Sequence, residues 1–343
     1  MDASAAANLT GVLDVLIIGA GPIGLEAAIE AKRAGLTYRV LEKGALVDAV
    51  YRYPTYMTFF TTSERLEIGG HPLVTATDKP TRKEALDYYR KVTANEDLNV
   101  DTFTPVTGVE READGFRVRF TAGGEARSLT ARTVMLATGY FDRPNRLGVP
   151  GEDLPHVSHY YDEAHPYFRR PVVIVGAGSS AADTALDLYR AGAQVTMVHR
   201  GDDFRHSLKY WIRPNLENRV KEGSIQAHFG ATVTRITNEA VEIDKGGTAL
   251  TLPAVRVFLL TGYSANPAFL QHLGADLDEA TGAAKLTEAF ETTVPGLYAI
   301  GSAGFGNRTS DVFIENGLTH ARAAVADVAA KRQATHAPAS RGA

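Results

Sequence analysis

The chain has 343 residues, enough for two domains with sizeable cores, and its 44% hydrophobic and 22% charged content is that of an ordinary globular protein. A formal net charge of −4 gives no reason to expect nucleic acid or an anionic membrane as partner, and no apolar run approaches the ~18 residues that span a bilayer. There is no cysteine, which excludes disulfides, thiolate metal sites and any cysteine-based redox relay, and no metal site is expected.

Met1 to Val12 is alanine-rich but lacks a basic region and a long apolar core. It reads as a flexible lead-in, not a signal peptide, so a cytoplasmic location is the default. The first half-unit is a strand over Val12–Ile18, a helix over Leu25–Ala34 and a strand over Tyr38–Leu41. The strand meets the helix through Gly19-Ala-Gly21-Pro22-Ile23-Gly24. In such a turn the first glycine bends the chain tightly, the second lets the backbone approach a pyrophosphate, and the third packs helix against strand. The helix N-terminus adds free N–H groups and partial positive charge. Glu42 ends the second strand, 18 residues past Gly24. An acidic residue there accepts hydrogen bonds from an adenosine ribose and repels a 2′-phosphate, so this site suits FAD or NAD.

Tyr51, Tyr53, Tyr56, Phe59 and Phe60 form an aromatic run, and Thr61-Thr62-Ser63 beside it offers hydroxyls to a cofactor. The turn-rich, β-branched stretch from about Val100 to Val134 reads as a small antiparallel excursion. It closes with Val134-Met-Leu-Ala-Thr138-Gly139-Tyr140. His156, His159, Tyr160 and Tyr161 follow, as candidates for lining a substrate cleft.

The same layout then repeats. Pro171-Val-Val-Ile-Val-Gly176-Ala-Gly178-Ser179-Ser180-Ala181 runs from strand through glycine turn to helix, and Gln194–Val198 is the next strand. That strand ends in His199-Arg200, with Arg205 following and no carboxylate at its tip. Arginine meets phosphate oxygens with a fork of donors, so this second site suits NADPH, although Asp202 and Asp203 lie close by. Val255–Thr261 closes the unit, again with Thr-Gly-Tyr at Thr261-Gly262-Tyr263. A whole nucleotide-binding domain is thus repeated.

Val294-Pro-Gly-Leu-Tyr-Ala-Ile-Gly301-Ser302-Ala-Gly304 is a late strand that most simply returns to the first sheet. Helical patterning then runs to about Lys331, and the tail after Gln333 reads as disordered. The expected fold is α/β, with two Rossmann-like, doubly wound, three-layer nucleotide-binding domains, the second inserted in the first. The first nucleotide-binding domain takes 1–150 and 265–343 and the second, which suits NADPH, takes 151–264, with loops at Pro150-Gly151 and Asn266-Pro267 near the crossings. The helix near Val312–Ile314 is expected to aim its N-terminus at the cofactor, after the glycine-rich Gly301, Gly304 and Gly306.

The paired glycine motifs, the two Thr-Gly-Tyr strands and the Gly-Leu-Tyr-Ala-Ile-Gly segment resemble the thioredoxin-reductase-like flavoproteins over nearly the whole chain. Within that group the chain looks most like the YpdA-type bacillithiol disulfide reductases, through Tyr53–Gly69, His156–Tyr161, Lys209–Pro214 and Phe313-Ile-Glu-Asn-Gly317. The resemblance implies FAD in the first domain, NADPH in the second, a homodimer or higher homo-oligomer, and hydride transfer from nicotinamide to flavin N5. It places Gly19, Gly21, Pro22, Gly24, Glu42, Lys43, Thr61, Thr62, Ser63, Val106, Thr138, Gly139, Gly301, Ser302 and Ile314 at FAD. It places Gly176, Gly178, Ser179, Ser180, Ala181, His199, Arg200, Arg205 and Gly262 at NADPH. Two positions depart from the pattern. Ile23 stands where this family usually carries a cysteine, and Ser302 where thioredoxin reductases carry an aspartate. No catalytic residue is therefore assigned. The expected activity is NADPH-dependent FAD oxidoreduction to a small-molecule or small-protein acceptor, namely a low-molecular-weight disulfide, a quinone or a carrier such as ferredoxin. The alternatives are a flavin monooxygenase, which Ala137-Thr-Gly-Tyr-Phe-Asp-Arg143-Pro also resembles, and a redox-sensing flavoprotein without turnover.

Overall fold

The protein is described by a computed structural model of residues 11–336 other than 206, 207 and 209; the lead-in before residue 11, the tail beyond 336 and Lys209 lie outside the described residues. It divides into two compact units. The first comprises the chain through Tyr51, Thr58–Arg143 and everything from Ser264 on; the second comprises Arg52–Met57 and Pro144–Tyr263.

The first unit opens with β1 (Leu13–Ile18), buried along its entire length, as a strand covered on both faces must be. α1 (Pro22–Arg33) begins three residues earlier than its apolar pattern, because Pro22 takes the N1 place, where a missing N–H costs nothing. β2 (Tyr38–Leu41) lies parallel to β1, from Val15↔Tyr38 to Ile18↔Leu41. A short α2 (Asp48–Tyr51) follows. α3 (Arg82–Asn95) starts from a reciprocal cap in which Thr81 and Glu84 satisfy each other's backbone N–H groups. β3 (Val100–Asp101) extends the parallel edge beyond β2.

β4 (Val106–Glu112), β5 (Gly115–Ala122) and β6 (Glu125–Leu136) form the expected excursion. The closing strand is not separate from it, however. β6 runs antiparallel to β5 from Ala122↔Glu125 to Phe116↔Ala131, then parallel to β1 from Leu13↔Ala131 to Ile18↔Leu136. One strand therefore serves both the excursion and the central sheet.

In the second unit, β7 (Val157–Ser158) and β8 (Pro171–Val175) precede α4 (Ser179–Arg190), β9 (Gln194–Val198), α5 (Arg213–Lys221) and β10 (Ile225–His228). β11 (Ala231–Ile236), β12 (Ala240–Lys245) and β13 (Thr248–Pro253) make an antiparallel sheet of their own, and β14 (Arg256–Leu259) returns to the parallel one. The parallel order is β10-β9-β8-β14-β7. Pro150-Gly151 is not at the crossing: it packs inside this unit, where Ile236 N–H donates to the Pro150 carbonyl at 2.9 Å and Gly151 has no room for a Cβ beside Ile236 O.

Back in the first unit, α6 (Ala268–His272) leads to β15 (Leu297–Ala299), which pairs parallel with the end of β6. α7 (Ile314–His336) continues through the first three residues of the tail expected to be disordered. It docks on α1 through Glu26, a fully buried carboxylate that accepts from Arg322 Nε and from Gly69 N–H, each at 2.6 Å. Asp14 of β1 likewise accepts from Thr37 and pairs with Arg332. Each unit is thus a sheet with helices on its faces, and among the described residues no helix is long and apolar enough to cross a membrane.

Candidate cofactor sites

In the first unit the C-terminal ends of β1, β6 and β15 converge, the end of an open parallel sheet where ligands bind. A Cβ on Gly24 would lie 2.0 Å from the Gly19 carbonyl oxygen, so the third glycine is forced by the protein's own packing. Around a Cβ on Gly21, in contrast, nothing lies within 4 Å. No protein contact demands glycine there, and the space it leaves fits a pyrophosphate against the α1 N-terminus, whose cap has no side-chain partner. Glu42 sits at the tip of β2, 6% exposed. Ala20 N–H donates to its Oε2 at 2.7 Å and Gly44 N–H to its Oε1 at 2.9 Å. Burial pushes this carboxyl above the ordinary 4.5 despite those two bonds. The carboxylate is therefore aimed by the backbone, with acceptor capacity left for ribose hydroxyls.

Gly139 has φ +65°, and a Cβ on it would lie 4.0 Å from Ser302 Oγ, so Thr138-Gly139 and Gly301-Ser302 are brought together. Ser302 is buried in the short turn Gly301–Gly304. Thr61 and Ser63 are buried, and Thr62 precedes the short helical turn Ser63–Leu66. Val106 opens β4 two residues after Thr104, whose N–H donates to the Glu42 carbonyl at 2.7 Å. Lys43 is turned to a neighbouring loop, its Nζ 2.5 Å from Asp142 Oδ2. Ile314 opens α7, where Asn316 Oδ1 accepts from Phe313 N–H at 2.7 Å.

Ile23 is wedged into the same region. A Cβ on Gly301 would lie 2.8 Å from Ile23 Cδ1, and a Cβ on Gly317 of α7 would lie 2.7 Å from it. The position that carries a thiol in the resembled family is filled here by a branched hydrocarbon between two glycines.

In the second unit a Cβ on Gly176 would lie 2.4 Å from Leu260 O, whereas on Gly178 it would meet only Arg205 Cδ at 3.8 Å. Arg205 thus lies over the second glycine of the motif, beside Ser179 and Ser180 at the α4 N-terminus. Ala181 fits because its methyl stands 3.5 Å from where Gly176 would carry its own. His199 lies just past β9, its pKa pushed down by burial and by the charges of Arg205 and Arg200, so these three are gathered at one strand end. Asp203 is spent on Arg213 at 2.6 Å. Gly262, with φ +95°, is held by Asn145, whose N–H donates to its carbonyl at 2.9 Å.

Two expectations are corrected. The aromatic run does not form one cluster. Tyr51 and Tyr56 are exposed, Phe59 is buried, Phe60 meets Phe313 edge-on at 5.7 Å, and Tyr53 and Tyr56 belong to the segment grouped with the second unit. That segment is held by Thr55, whose N–H and hydroxyl donate to Asp162. Tyr161 does not line a cleft, because it is buried edge-on to Phe258 with its hydroxyl donating to Asp187. Nothing in the sequence marks His320, which is buried on α7 with its ring stacked against Phe290 at 3.7 Å and against Phe305 at 5.7 Å. A single histidine in a helical pattern carries no signal for such packing.

The family model for pyridine nucleotide-disulphide oxidoreductases matches residues 16–301. The chain is 41% identical over 316 residues to bacilliredoxin reductase Bdr of Bacillus subtilis (strain 168), covering 92% of this chain and 97% of that one. It is 27% identical over 299 residues to a ferredoxin–NADP reductase of Ignicoccus hospitalis, covering 84% and 89%. Among solved structures it superposes on bacillithiol disulfide reductase Bdr (YpdA) from Bacillus cereus with a TM-score of 0.91 at 41% identity, over 94% of this chain and 100% of that one.

Proposed function

Since the chain belongs to the pyridine nucleotide-disulphide oxidoreductases, flavin-dependent enzymes that use FAD and NAD(P)H, we propose that it oxidises NADPH and passes the two electrons to an acceptor outside the chain, with no protein thiol between. The observation that carries this reading is Ile23, packed between Gly301 and Gly317 in a chain without cysteine. A mixed disulfide with the protein has no sulfur to form on.

FAD bound in the first unit supplies the two-electron exchange between nicotinamide and acceptor. Gly19, Gly21 and Gly24 shape the turn for its pyrophosphate, and Glu42 takes the adenosine ribose. Gly139 and Ser302 offer a backbone face and a hydroxyl to the rest of it. NADPH would be held by Gly176, Gly178 and the α4 N-terminus. Arg205 and Arg200 would meet its 2′-phosphate, since Asp203 is already neutralised by Arg213. The first acceptor to test is a low-molecular-weight disulfide reached directly, because the solved relative at 41% identity is a bacillithiol disulfide reductase. A quinone and a ferredoxin-type carrier come next. The reading extends to a cytoplasmic homodimer.

The test is NADPH oxidation by the purified FAD-loaded protein, with each acceptor in turn and NADH in parallel. Acceptor-dependent NADPH oxidation at least about tenfold more efficient than with NADH supports the reading. No oxidation of NADPH, or a preference for NADH, overturns it.

A further inference from the structure

Phe103 stands in the short turn between β3 and β4, where the parallel pairing of β2 with β3 has just ended at Leu41↔Asp101. That turn is tied by its backbone to the strand tip that carries Glu42. Glu42 N–H donates to the Asp101 carbonyl at 2.8 Å, Phe103 N–H to the Gly44 carbonyl at 2.9 Å and Thr104 N–H to the Glu42 carbonyl at 2.7 Å. Thr104 Oγ1 closes the turn from within, donating to the Thr102 carbonyl at 3.0 Å. The backbone so held gives Phe103 a φ of +52°. This is the left-handed region, where a bulky residue is an outlier and glycine or asparagine sits more easily. Conformations imposed in this way gather at ligand sites. The side chain gains little burial in exchange, for it is 70% exposed.

We propose that Phe103 is a binding residue for the adenine of FAD: its ring stacks on the base whose ribose Glu42 holds. The proposal rests on the reading above that the Glu42 carboxylate takes the adenosine ribose. On that reading the base leaves the ribose beside the strand tip, next to the turn that these hydrogen bonds hold against it. An adenine presents two flat faces, and a flat aromatic ring is the side chain that covers one well. Thr102 and Thr104 on either side of Phe103 offer no such surface, and Lys43 is turned to Asp142. The left-handed backbone then has a reason. A phenylalanine on a loose loop would have to be ordered when the base arrives, whereas one in a pinned turn has already lost most of that freedom.

The test sets affinity against stability. FAD is titrated into flavin-free wild type, Phe103→Asn, Phe103→Tyr and Glu42→Gln by fluorescence quenching, and the flavin-free melting temperatures are recorded alongside. Asparagine accepts a positive φ and has no ring. Phe103→Asn is therefore expected to bind FAD about tenfold more weakly, the loss of one stacked base. It should nevertheless melt no lower than the wild type, because backbone strain is relieved and little buried surface is lost. Phe103→Tyr keeps the ring and should stay within about threefold of the wild-type Kd. If Phe103→Asn does not fold, Phe103→Gly, equally at ease at that φ, replaces it. Wild-type FAD affinity in Phe103→Asn, with Glu42→Gln weakened, overturns the proposal while leaving the reading intact. A Phe103→Asn that loses affinity and also melts lower overturns it too, since the residue then serves the fold of the turn. Wild-type affinity in Glu42→Gln removes the reading that Glu42 takes the ribose, and the proposal with it.

Discussion

Ile23 Cδ1 reaches to 2.7 Å from the point where a side chain on Gly317 would begin, so α1 and α7 touch through an isoleucine that fits only because its partner is glycine. Gly317 sits in the first turn of a 23-residue helix. Alanine in a helix is ordinarily better than glycine by about 1 kcal/mol. Here overpacking wins, and Gly317→Ala should cost about 1–3 kcal/mol. Ile23→Val removes Cδ1, and in that background the penalty should fall by about 1 kcal/mol or more, a coupling readable from urea melts of the four proteins. An additive pair, or a stabilising Gly317→Ala, would show that the contact is not as tight as stated.

Replacing Ile23 with cysteine puts a thiol where the chain now has none. Flavin bleaching by NADPH should keep its rate within about threefold, since that exchange belongs to the cofactors. Turnover with a low-molecular-weight disulfide should become sensitive to iodoacetamide, to which the parent is indifferent. Insensitivity of Ile23→Cys, with the thiol shown to be alkylated, would mean that this position lies off the route of the electrons.

How far the sequence reaches is visible in these same residues. Gly19 and Gly24 were legible because a tight turn and close helix–strand packing demand glycine at a fixed spacing, and β1, α1 and β2 followed from apolar periodicity. The double service of β6 was not, because a switch of pairing partner leaves no mark on a strand's composition. Nor was the grouping of Arg52–Met57 with the second unit, which depends on Thr55 finding Asp162 more than 100 residues away. Lys43 came from the family resemblance, which could not show that its ammonium pairs with Asp142. His320 and Phe290 became visible only when the fold stacked them.

Glu42 gives the site a pH dependence whose sign is fixed. Burial raises its pKa above 4.5, so the folded apoprotein holds this proton more tightly than the unfolded chain does. The group therefore favours folding below its unfolded value, and that contribution is lost as pH rises through the folded one. Ribose hydroxyls held there would donate to the carboxylate, so FAD affinity is expected to run the other way and to weaken as pH falls toward the raised pKa. Glu42→Gln should bind FAD about tenfold more weakly at neutral pH and flatten that slope, since a neutral amide has no proton to gain there. A Glu42→Gln profile that still falls with acid would assign the dependence to another group.

Arg205, lying over Gly178, should govern the choice of nicotinamide dinucleotide. Arg205→Ala is expected to raise KM for NADPH about tenfold while leaving kcat, and both parameters for NADH, within about twofold, as loss of a phosphate contact made equally in ground and transition states requires. Steady-state kinetics with both nucleotides decides this. Equal losses with NADPH and NADH would show that Arg205 supports the fold of the loop and does not read the 2′-phosphate.

The account's central claim is that electrons arrive from NADPH at a flavin and leave without a protein sulfur. Anaerobic titration of the purified FAD-loaded protein with NADPH, followed by flavin absorbance, tests it most directly. With no cysteine in the chain, about one equivalent of NADPH per flavin should complete the bleaching, because the flavin is the sole two-electron store. Uptake of a second equivalent, or a flavin that NADPH leaves coloured, would contradict it.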